Sequence, residues 1–453
     1  MVADDARYGP GIQIDPLFPY YRDRSAESVA EEIELAGYRI VHYFVVNENI
    51  VDRRLIEAFR DRGIKVWAMV LGNGSFSTDG FPKEWPAWRM GLIRQPEDGF
   101  TRFSPFSEGY VRWKRSAMIR LATEYPFDGI EIAEPYFPEW NGLETGVYGD
   151  VGPLAEQAFR DRHGLPMPEF RDPDHPNYYK RNEELYRKWV DFRVDAVHSF
   201  IDAMINPPEG VRSARRDILA ATWSLAVDAG PSSIERLREE QGLDAPAMIE
   251  RVRPDVHFWQ THWPDWTRAD LPGDHARKYR PFIDAVRRRF PRLPQGVQAD
   301  IGSARHMIRS EAWLARFSRT AGELGLATWT AYEYHIGGGM YASKPTPLRA
   351  VRLDQDEALI AFSKRIKEPS DARPAMCLLH AGGRKIRLTR AALSVDGNRL
   401  RVRSAAFPAE PFELEFQDIS DTPERWLYRD MPANSSPAGA KIRIPGWDPE
   451  TVI

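Results

Sequence analysis

Residues 127–140 read FDGIEIAEPYFPEW, and this stretch decides how the rest of the chain is interpreted. Its first seven residues form a short apolar run that carries an acid at Glu131 and ends at Ala133, a pattern typical of a buried strand. Pro135 comes directly after Glu134, and a proline removes a backbone donor and restricts the residue before it. We therefore predict a strand over Phe127–Ala133 and a loop from Glu134 onward.

The same order of short apolar run, polar loop and amphipathic helix recurs along the chain. The predicted strands are Gly11–Pro16, Ile40–Val46, Lys65–Leu71, Phe127–Ala133, Ile218–Leu225, Val256–Thr261, Gly296–Ile301 and Ala327–Tyr334. Such alternation indicates a parallel sheet with helical crossovers. Eight units close into a (β/α)8 TIM barrel, an α/β fold, whereas five or six units would favour a doubly wound open sheet. We expect the barrel, with a final helix over Gln355–Lys367.

The character of the sequence changes after Lys367. Glu368–Pro374 resembles a linker, and short alternating runs follow it, with Asp396-Gly397 as a hairpin signal between two of them. We therefore predict a barrel catalytic domain over residues 1–368. Residues 369–453 are predicted to form a small β-rich, sandwich-like accessory domain.

Composition narrows the function classes. The 453 residues include 62 basic and 66 acidic side chains, for a net charge of −4, which does not favour a nucleic-acid partner. The single cysteine, Cys377, excludes an intrachain disulfide and a cysteine-based metal site. The sequence has no apolar stretch of about 20 residues, so no membrane partner is expected. Because the N-terminus lacks an apolar core, we expect a cytoplasmic protein, with a trimmed secretory signal as the alternative.

Polar and aromatic side chains collect where the predicted strands end. In a barrel these ends form the mouth that carries the chemistry. Carboxylates, amides and histidines can bind sugar hydroxyls, and aromatic rings can pack on the apolar face of a pyranose. The candidate substrate-binding residues are Asp15, His42, Asn47, Glu131, Tyr136, Trp140, Trp223, His262, Trp263, Tyr332 and His335. The candidate catalytic residues are Glu134, Glu333 and Asp300, because glycosidic cleavage uses two carboxyl groups.

The run from Asp128-Gly129-Ile130 to Glu134-Pro135 resembles the large superfamily of (β/α)-barrel glycoside hydrolases. Many members of its clan A carry Asn-Glu-Pro at the end of strand four, and here Ala133 stands where that Asn would be. The resemblance implies that Glu134 is the acid/base of a retaining glycosidase. It implies a second carboxylate at the end of strand seven, which is Asp300 by our count. Glu333 takes that position if the count is one strand too high, and its aromatic surroundings favour it.

Two other functions compete with a glycosidase. The first is a non-catalytic carbohydrate-binding barrel, in which the acids only hydrogen-bond sugar. The second is a metal-dependent barrel hydrolase that uses His42, His262 and His335, although the sequence contains no His-x-His or His-Glu-x-x-His pattern. We expect no cofactor, and the pattern makes no prediction of an oligomeric state. For each histidine and tryptophan the competing interpretation is a structural role, and for Glu131 it is a buried carboxylate paired with another strand.

Overall fold

A computed structural model describes residues 5–368, 377–381, 384–388 and 392–448. Strands β1 to β8 are Gly9–Ile14, Ile40–Val45, Lys65–Leu71, Gly129–Ala133, Leu219–Ala226, Val256–Thr261, Gln295–Asp300 and Thr328–Tyr332. Each strand pairs in parallel with the next along the chain, and β8 pairs with β1, which closes the barrel. The predicted TIM barrel is therefore confirmed.

Helices cover the outside of the barrel. Helices α1 to α13 are Ala26–Leu35, Arg53–Asp61, Glu108–Glu124, Gly142–Thr145, Pro153–His163, Glu183–Ile205, Val211–Ala214, Ser233–Gln241, Ala245–Val252, Trp263–Trp266, Arg280–Arg289, Glu311–Glu323 and Gly338–Ala342. The side chains of Ser25, Asp52 and Ser107 accept backbone N–H groups at the starts of α1, α2 and α3. Such caps satisfy donors that the first helical turn leaves unpaired. In the described part of the chain, no helix combines the length and the apolarity needed to cross a membrane.

Alternate residues of each strand face the inside of the barrel. On β4, Ile130 and Ile132 pack in the core between strands and helices, whereas Glu131 points inward. Gly129 also faces inward, and a Cβ atom there would lie 2.3 Å from the Trp67 ring. The glycine therefore makes room for a buried tryptophan at the base of the barrel.

Two antiparallel sheets follow the barrel. Strands β9 to β16 are Pro347–Asp354, Glu357–Phe362, Cys377–Ala381, Arg384–Arg387, Ala392–Asp396, Arg399–Arg403, Phe412–Phe416 and Ala440–Ile444. One sheet has the order β9-β10-β14-β13 and the other β12-β11-β15-β16. Ile360, Leu400 and Leu414 belong to the shared core between them.

The helix predicted over Gln355–Lys367 is wrong. Residues 355–356 form a turn, and Glu357–Phe362 is a strand that pairs with both β9 and β14. The run Ala358-Leu359-Ile360-Ala361-Phe362 suits a helix or a strand, and the partner strands decide the outcome. We therefore propose that the boundary between the two parts lies near residue 346 rather than at 368.

The β-rich part is braced against the first loop and helix of the barrel. Arg365, which is buried, donates to the carbonyl oxygens of Tyr20, Arg22 and Asp23 at 2.6, 2.7 and 3.3 Å. Asp396 accepts from the backbone N–H of Ser25 at 2.7 Å. On α1, Glu31 pairs with Arg399 at 2.6 Å and Glu34 pairs with Arg349 at 2.9 Å. The β-rich part thus holds both α1 and the connection that leads to it from β1.

Candidate active site

Glu134 lies at the mouth of the barrel, one residue beyond β4. Its φ of 51° is in the left-handed region, and the chain turns there away from the strand axis. Asn73, after β3, donates to the carbonyl oxygens of Pro135 and Tyr136 and fixes the turn. Gly72 is needed beside it, because a Cβ atom at that position would lie 2.5 Å from the Pro135 Cα.

The Glu134 carboxyl reaches toward β6. Gln260, on β6, donates from Nε2 to Glu134 Oε1 at 3.4 Å and accepts from the Tyr136 hydroxyl at 3.1 Å. Burial raises the pKa of Glu134 above its ordinary value, and the Gln260 hydrogen bond opposes that rise. The residue is only partly buried and lines an open cavity of about 300 Å³. A partly exposed acid whose proton is held more tightly than usual is suited to proton donation.

Glu333, directly after β8, is completely buried. Its Oε1 accepts from the Tyr21 hydroxyl at 2.7 Å, from the His335 backbone N–H at 2.8 Å and from His335 Nδ1 at 2.5 Å. Its Oε2 accepts from the Asp15 backbone N–H at 2.9 Å. Four hydrogen bonds therefore hold this carboxylate in place.

Asp300, at the end of β7, is also engaged by its own loop. It accepts from the backbone N–H groups of Gly302 and Ser303, both at 2.9 Å, and from the Ser303 hydroxyl at 2.5 Å. Burial raises the pKa of Asp300, and these bonds oppose the rise. Asp300 therefore caps the loop that follows β7.

Asp15, which follows β1, accepts a single hydrogen bond from the described residues. Its Oδ1 accepts from the Leu17 backbone N–H at 2.9 Å, and among the described residues its Oδ2 accepts no hydrogen bond. The residue is partly exposed. Burial, together with the nearby charge on Glu333, raises the pKa of Asp15 to about 6.

Tyr332, the last residue of β8, lies near four acids of the mouth. Burial raises the pKa of its phenol well above the ordinary value, and four nearby carboxylates raise it further. They belong to Glu333, Asp15, Asp300 and Glu134. The ends of β1, β4, β7 and β8 therefore bring four acids around one tyrosine.

The barrel interior, below the mouth, holds three of the predicted binding residues. Glu131 accepts from His42 Nδ1 at 2.7 Å and from Trp223 Nε1 at 3.0 Å, and all three side chains are buried. The Trp223 ring stacks on Phe258 with centroids 4.8 Å apart. All three side chains are buried, and their contacts match the competing interpretation of Glu131 as a paired carboxylate.

Trp140, Asn47 and His335 are likewise held by the protein. Trp140 is buried and packs between His262 and the Arg236 guanidinium, whose carbon lies 4.2 Å from the ring centroid. Asn47 donates to the Asp79 carbonyl oxygen at 2.9 Å, and His335 stacks on Tyr20. These contacts support structural roles for the three side chains.

Two other predicted residues line a second cavity, of about 470 Å³, beside Glu134. Trp263 begins α10 and is 37% exposed. His262, the residue before it, is buried, and burial lowers its pKa to about 3, so its ring is neutral. Trp263 can therefore contact a ligand directly, whereas His262 forms part of the wall.

The three histidines do not form a metal site with their neighbours. Among the residues that the structure describes, no group of three or more His, Cys, Asp or Glu side chains could hold a metal ion. The metal-dependent alternative therefore has no support from geometry.

Sequence reasoning missed several residues of the mouth. Tyr21 binds Glu333 from 312 positions away in the chain. Phe76, Arg102 and Glu139 line the first cavity with Glu134. Their positions in long loops after β3 and β4 are the signal that could have found them, since such loops build the mouth of a barrel.

Comparison with known proteins gives the fold a context. No protein-family model and no curated protein matches the sequence. The glycoside hydrolase domain of PgaB (BpsB) from Bordetella bronchiseptica is similar over 72% of this chain and 94% of that chain, with 15% identity and a TM-score of 0.50. A GH42 beta-galactosidase from G. stearothermophilus matches over 73% of this chain and 52% of its own, with 14% identity and a TM-score of 0.49. The predicted resemblance is confirmed at the level of the fold: this chain folds as the (β/α)8 barrel that glycoside hydrolases use.

Proposed function

We propose that this chain is a glycoside hydrolase whose general acid is Glu134. The observation that carries the proposal is the position of that carboxyl. It lies at the end of β4, on an open cavity, and burial raises its pKa. The other carboxylates near Tyr332 supply candidates for the second group that glycosidic cleavage needs. The ligand is then a carbohydrate.

In this mechanism Glu134 gives its proton to the oxygen of the glycosidic bond as the bond from that oxygen to the anomeric carbon breaks. The raised pKa keeps the acid protonated closer to neutral pH than an exposed glutamate would be. Gln260 and Tyr136 orient the carboxyl through the chain of hydrogen bonds between them. Asn73 fixes the backbone on which it stands.

Hydrogen bonding and solvent exposure distinguish the three candidates for the second carboxylate, which are Glu333, Asp300 and Asp15. The oxygens of Glu333 accept four hydrogen bonds and those of Asp300 accept three, all from this chain. Asp15 is partly exposed and keeps Oδ2 available. We therefore propose Asp15 as the group that attacks the anomeric carbon or activates water, with Glu333 as a positioning residue that holds the Asp15 backbone.

The test begins with a screen of the purified protein against chromogenic glycosides and polysaccharides. On the substrate found, Glu134→Gln should lower kcat about 100- to 10,000-fold while binding changes only a few-fold, because the amide cannot donate the acid proton. Glu144→Gln, at an exposed position of the same long connection, is the matched control and should keep full activity. Turnover by Glu134→Gln at the wild-type rate would refute the assignment.

The partner carboxylate is tested in the same assay. Asp15→Asn should reduce kcat about as much as Glu134→Gln, whereas Asp300→Asn should act mainly through the stability of its loop. Proton NMR of the first-formed anomer gives the stereochemistry. A retained configuration, which the clan A resemblance implies, makes Asp15 a nucleophile, and an inverted one makes it a base.

A non-catalytic carbohydrate-binding barrel is the competing function. It is favoured by the complete hydrogen bonding of Glu333 and Asp300, which suits structural acids. It predicts saturable sugar binding with no turnover by the wild-type protein, and with no difference in product formation between wild type and Glu134→Gln.

A further inference from the structure

Two cavities meet at Glu134 and form one cleft. The first, called here the loop arm, is lined by Asn73, Phe76, Phe100 and Arg102 among others. The second, called the helix arm, is lined by Gln260, His262, Trp263 and Trp266 among others. Glu134, Tyr136 and Glu139 line both. The proposed acid therefore lies between two arms rather than at the bottom of a closed pocket.

Both arms are large enough for ligands. Their volumes are about 300 Å³ for the loop arm and about 470 Å³ for the helix arm. Each value lies within the range of roughly 300–1,000 Å³ that is typical of small-molecule sites. A ligand that filled only one arm would leave the other, of comparable size, without contact.

Each arm carries an exposed aromatic side chain. Phe76, in the loop arm, is 59% exposed, and its ring lies against Phe100 with centroids 4.8 Å apart. Trp263, in the helix arm, is 37% exposed. Large exposed aromatic side chains on the walls of a concave site usually serve a ligand. The apolar faces of pyranose rings are suited to both positions.

The charge of the cleft excludes acidic sugars. Of the side chains that line the two arms within the described residues, Arg102 is the only cation, and it is paired with Asp98 at 2.6 Å. The neutral ring of His262 adds no positive charge. Glu139 lines both arms and the proposed acid Glu134 adds no positive charge, so a carboxylated or sulfated chain would meet the Glu139 carboxylate and no free cation.

The helix arm also contains polar atoms that the protein leaves unpaired. Asn141 Oδ1, Gln241 Oε1 and His262 Nε2 are buried in its wall and have no hydrogen-bond partner within the part of the chain that the structure describes. Buried polar atoms without a partner are uncommon in folded proteins. Three of them around one arm favour a ligand with hydroxyl groups there.

We propose that the cleft binds an uncharged polysaccharide along both arms, so that sugar units lie on each side of Glu134. Phe76 and Trp263 contact the units at the two ends. The proposed binding of a polysaccharide depends only on the shape and the lining of the cleft. Internal cleavage of the chain, with release of oligosaccharides, rests in addition on the proposed function.

Binding is tested first, on Glu134→Gln protein, which cannot consume the ligand. The probes are cellohexaose, xylohexaose, mannohexaose, maltohexaose and chitohexaose, the disaccharide of each, and hexagalacturonate as an acidic chain; affinity is measured by titration calorimetry. We expect at least one neutral hexasaccharide to bind about tenfold or more tightly than its disaccharide, because only the longer chain reaches both arms. Hexagalacturonate should bind at least tenfold more weakly than that hexasaccharide.

The two arms are then removed one at a time. Phe76→Ala and Trp263→Ala should each weaken hexasaccharide binding about tenfold, the order expected when one aromatic contact is lost. Ile386→Ala, which truncates a side chain 42% exposed in the β-rich part, is the control and should bind as the parent protein does. Circular dichroism confirms that all three variants fold.

The outcomes separate this inference from the proposed function. Equal affinity for every hexasaccharide and its disaccharide, or no binding of any neutral hexasaccharide, overturns the two-armed cleft, even if the wild-type protein hydrolyses a small chromogenic glycoside. If neither Phe76→Ala nor Trp263→Ala lowers the affinity for the hexasaccharide, the two-armed cleft is overturned as well. Length-dependent binding without any turnover by the wild-type protein supports the cleft and refutes the hydrolase.

Discussion

Replacing Glu131 should cost stability rather than catalysis. Its carboxylate accepts hydrogen bonds from His42 at 2.7 Å and from Trp223 at 3.0 Å, inside the barrel and away from solvent. A hydrogen bond to a charged group contributes about 1.5–3 kcal/mol, so the two together amount to roughly 3–6 kcal/mol. In Glu131→Ala the free-energy cost of burying the carboxylate also disappears, and this gain offsets part of the loss of the two hydrogen bonds. We therefore expect the free energy of unfolding to fall by about 3–4 kcal/mol.

Guanidinium unfolding followed by tryptophan fluorescence measures this change. Glu57→Ala is the control, since that side chain is 49% exposed and pairs with Arg53 on the surface of α2; it should change stability by less than about 0.5 kcal/mol. Glu131→Gln preserves the volume and keeps the experiment informative if the alanine variant does not fold, with an expected loss of about 2 kcal/mol. A loss below about 1 kcal/mol in both variants, with kcat reduced over 100-fold, would refute a structural role and assign Glu131 to the reaction.

Three further predictions concern the mouth and its support. Because the pKa of Asp15 is about 6 in the folded protein and its catalytic form is the ionised one, kcat/KM should fall as the pH drops below about 6; a flat acidic limb in a pH–rate profile would contradict this. Asn73→Ala should lower kcat about tenfold and leave KM nearly unchanged, since the residue fixes the turn that carries Glu134; an effect on KM alone would count against positioning. Arg365→Ala should reduce the free energy of unfolding by about 3 kcal/mol in the same guanidinium assay, because three carbonyl oxygens lose the buried cation that donates to them. A stability equal to that of the wild type would show that these contacts are dispensable.

The barrel could be predicted from the sequence because its signal is local and repeated. Each strand is a short apolar run followed by a loop and a helix, and Phe127–Ala133 is one such run. The position of Glu134 followed from the same local reasoning. The Gln355–Lys367 prediction failed because the composition of Ala358–Phe362 fits a helix as well as a strand, and the choice depends on pairing with Arg399–Arg403.

The second carboxylate could not be predicted, because its environment comes from distant parts of the chain. Glu333 has the aromatic neighbours that the sequence indicated, but the hydroxyl of Tyr21 and the backbone of Asp15 reach it only through closure of the barrel between β8 and β1. The burial of Trp223 could not be predicted for the same reason. Its position near the end of strand five suits a sugar platform, and only the packing against Phe258 shows that the ring is inside.

The brace between Arg365 and the loop after β1 has a consequence for how such a chain can evolve. That loop carries Tyr21, which holds Glu333, and it follows Asp15 directly. The β-rich part therefore supports the mouth, although none of its described residues lines the cleft. A module with this arrangement is not an independent appendage, because a barrel that loses it also loses the support of its own first loop. Inheritance should keep the two parts together, and recombination that separates them should be selected against.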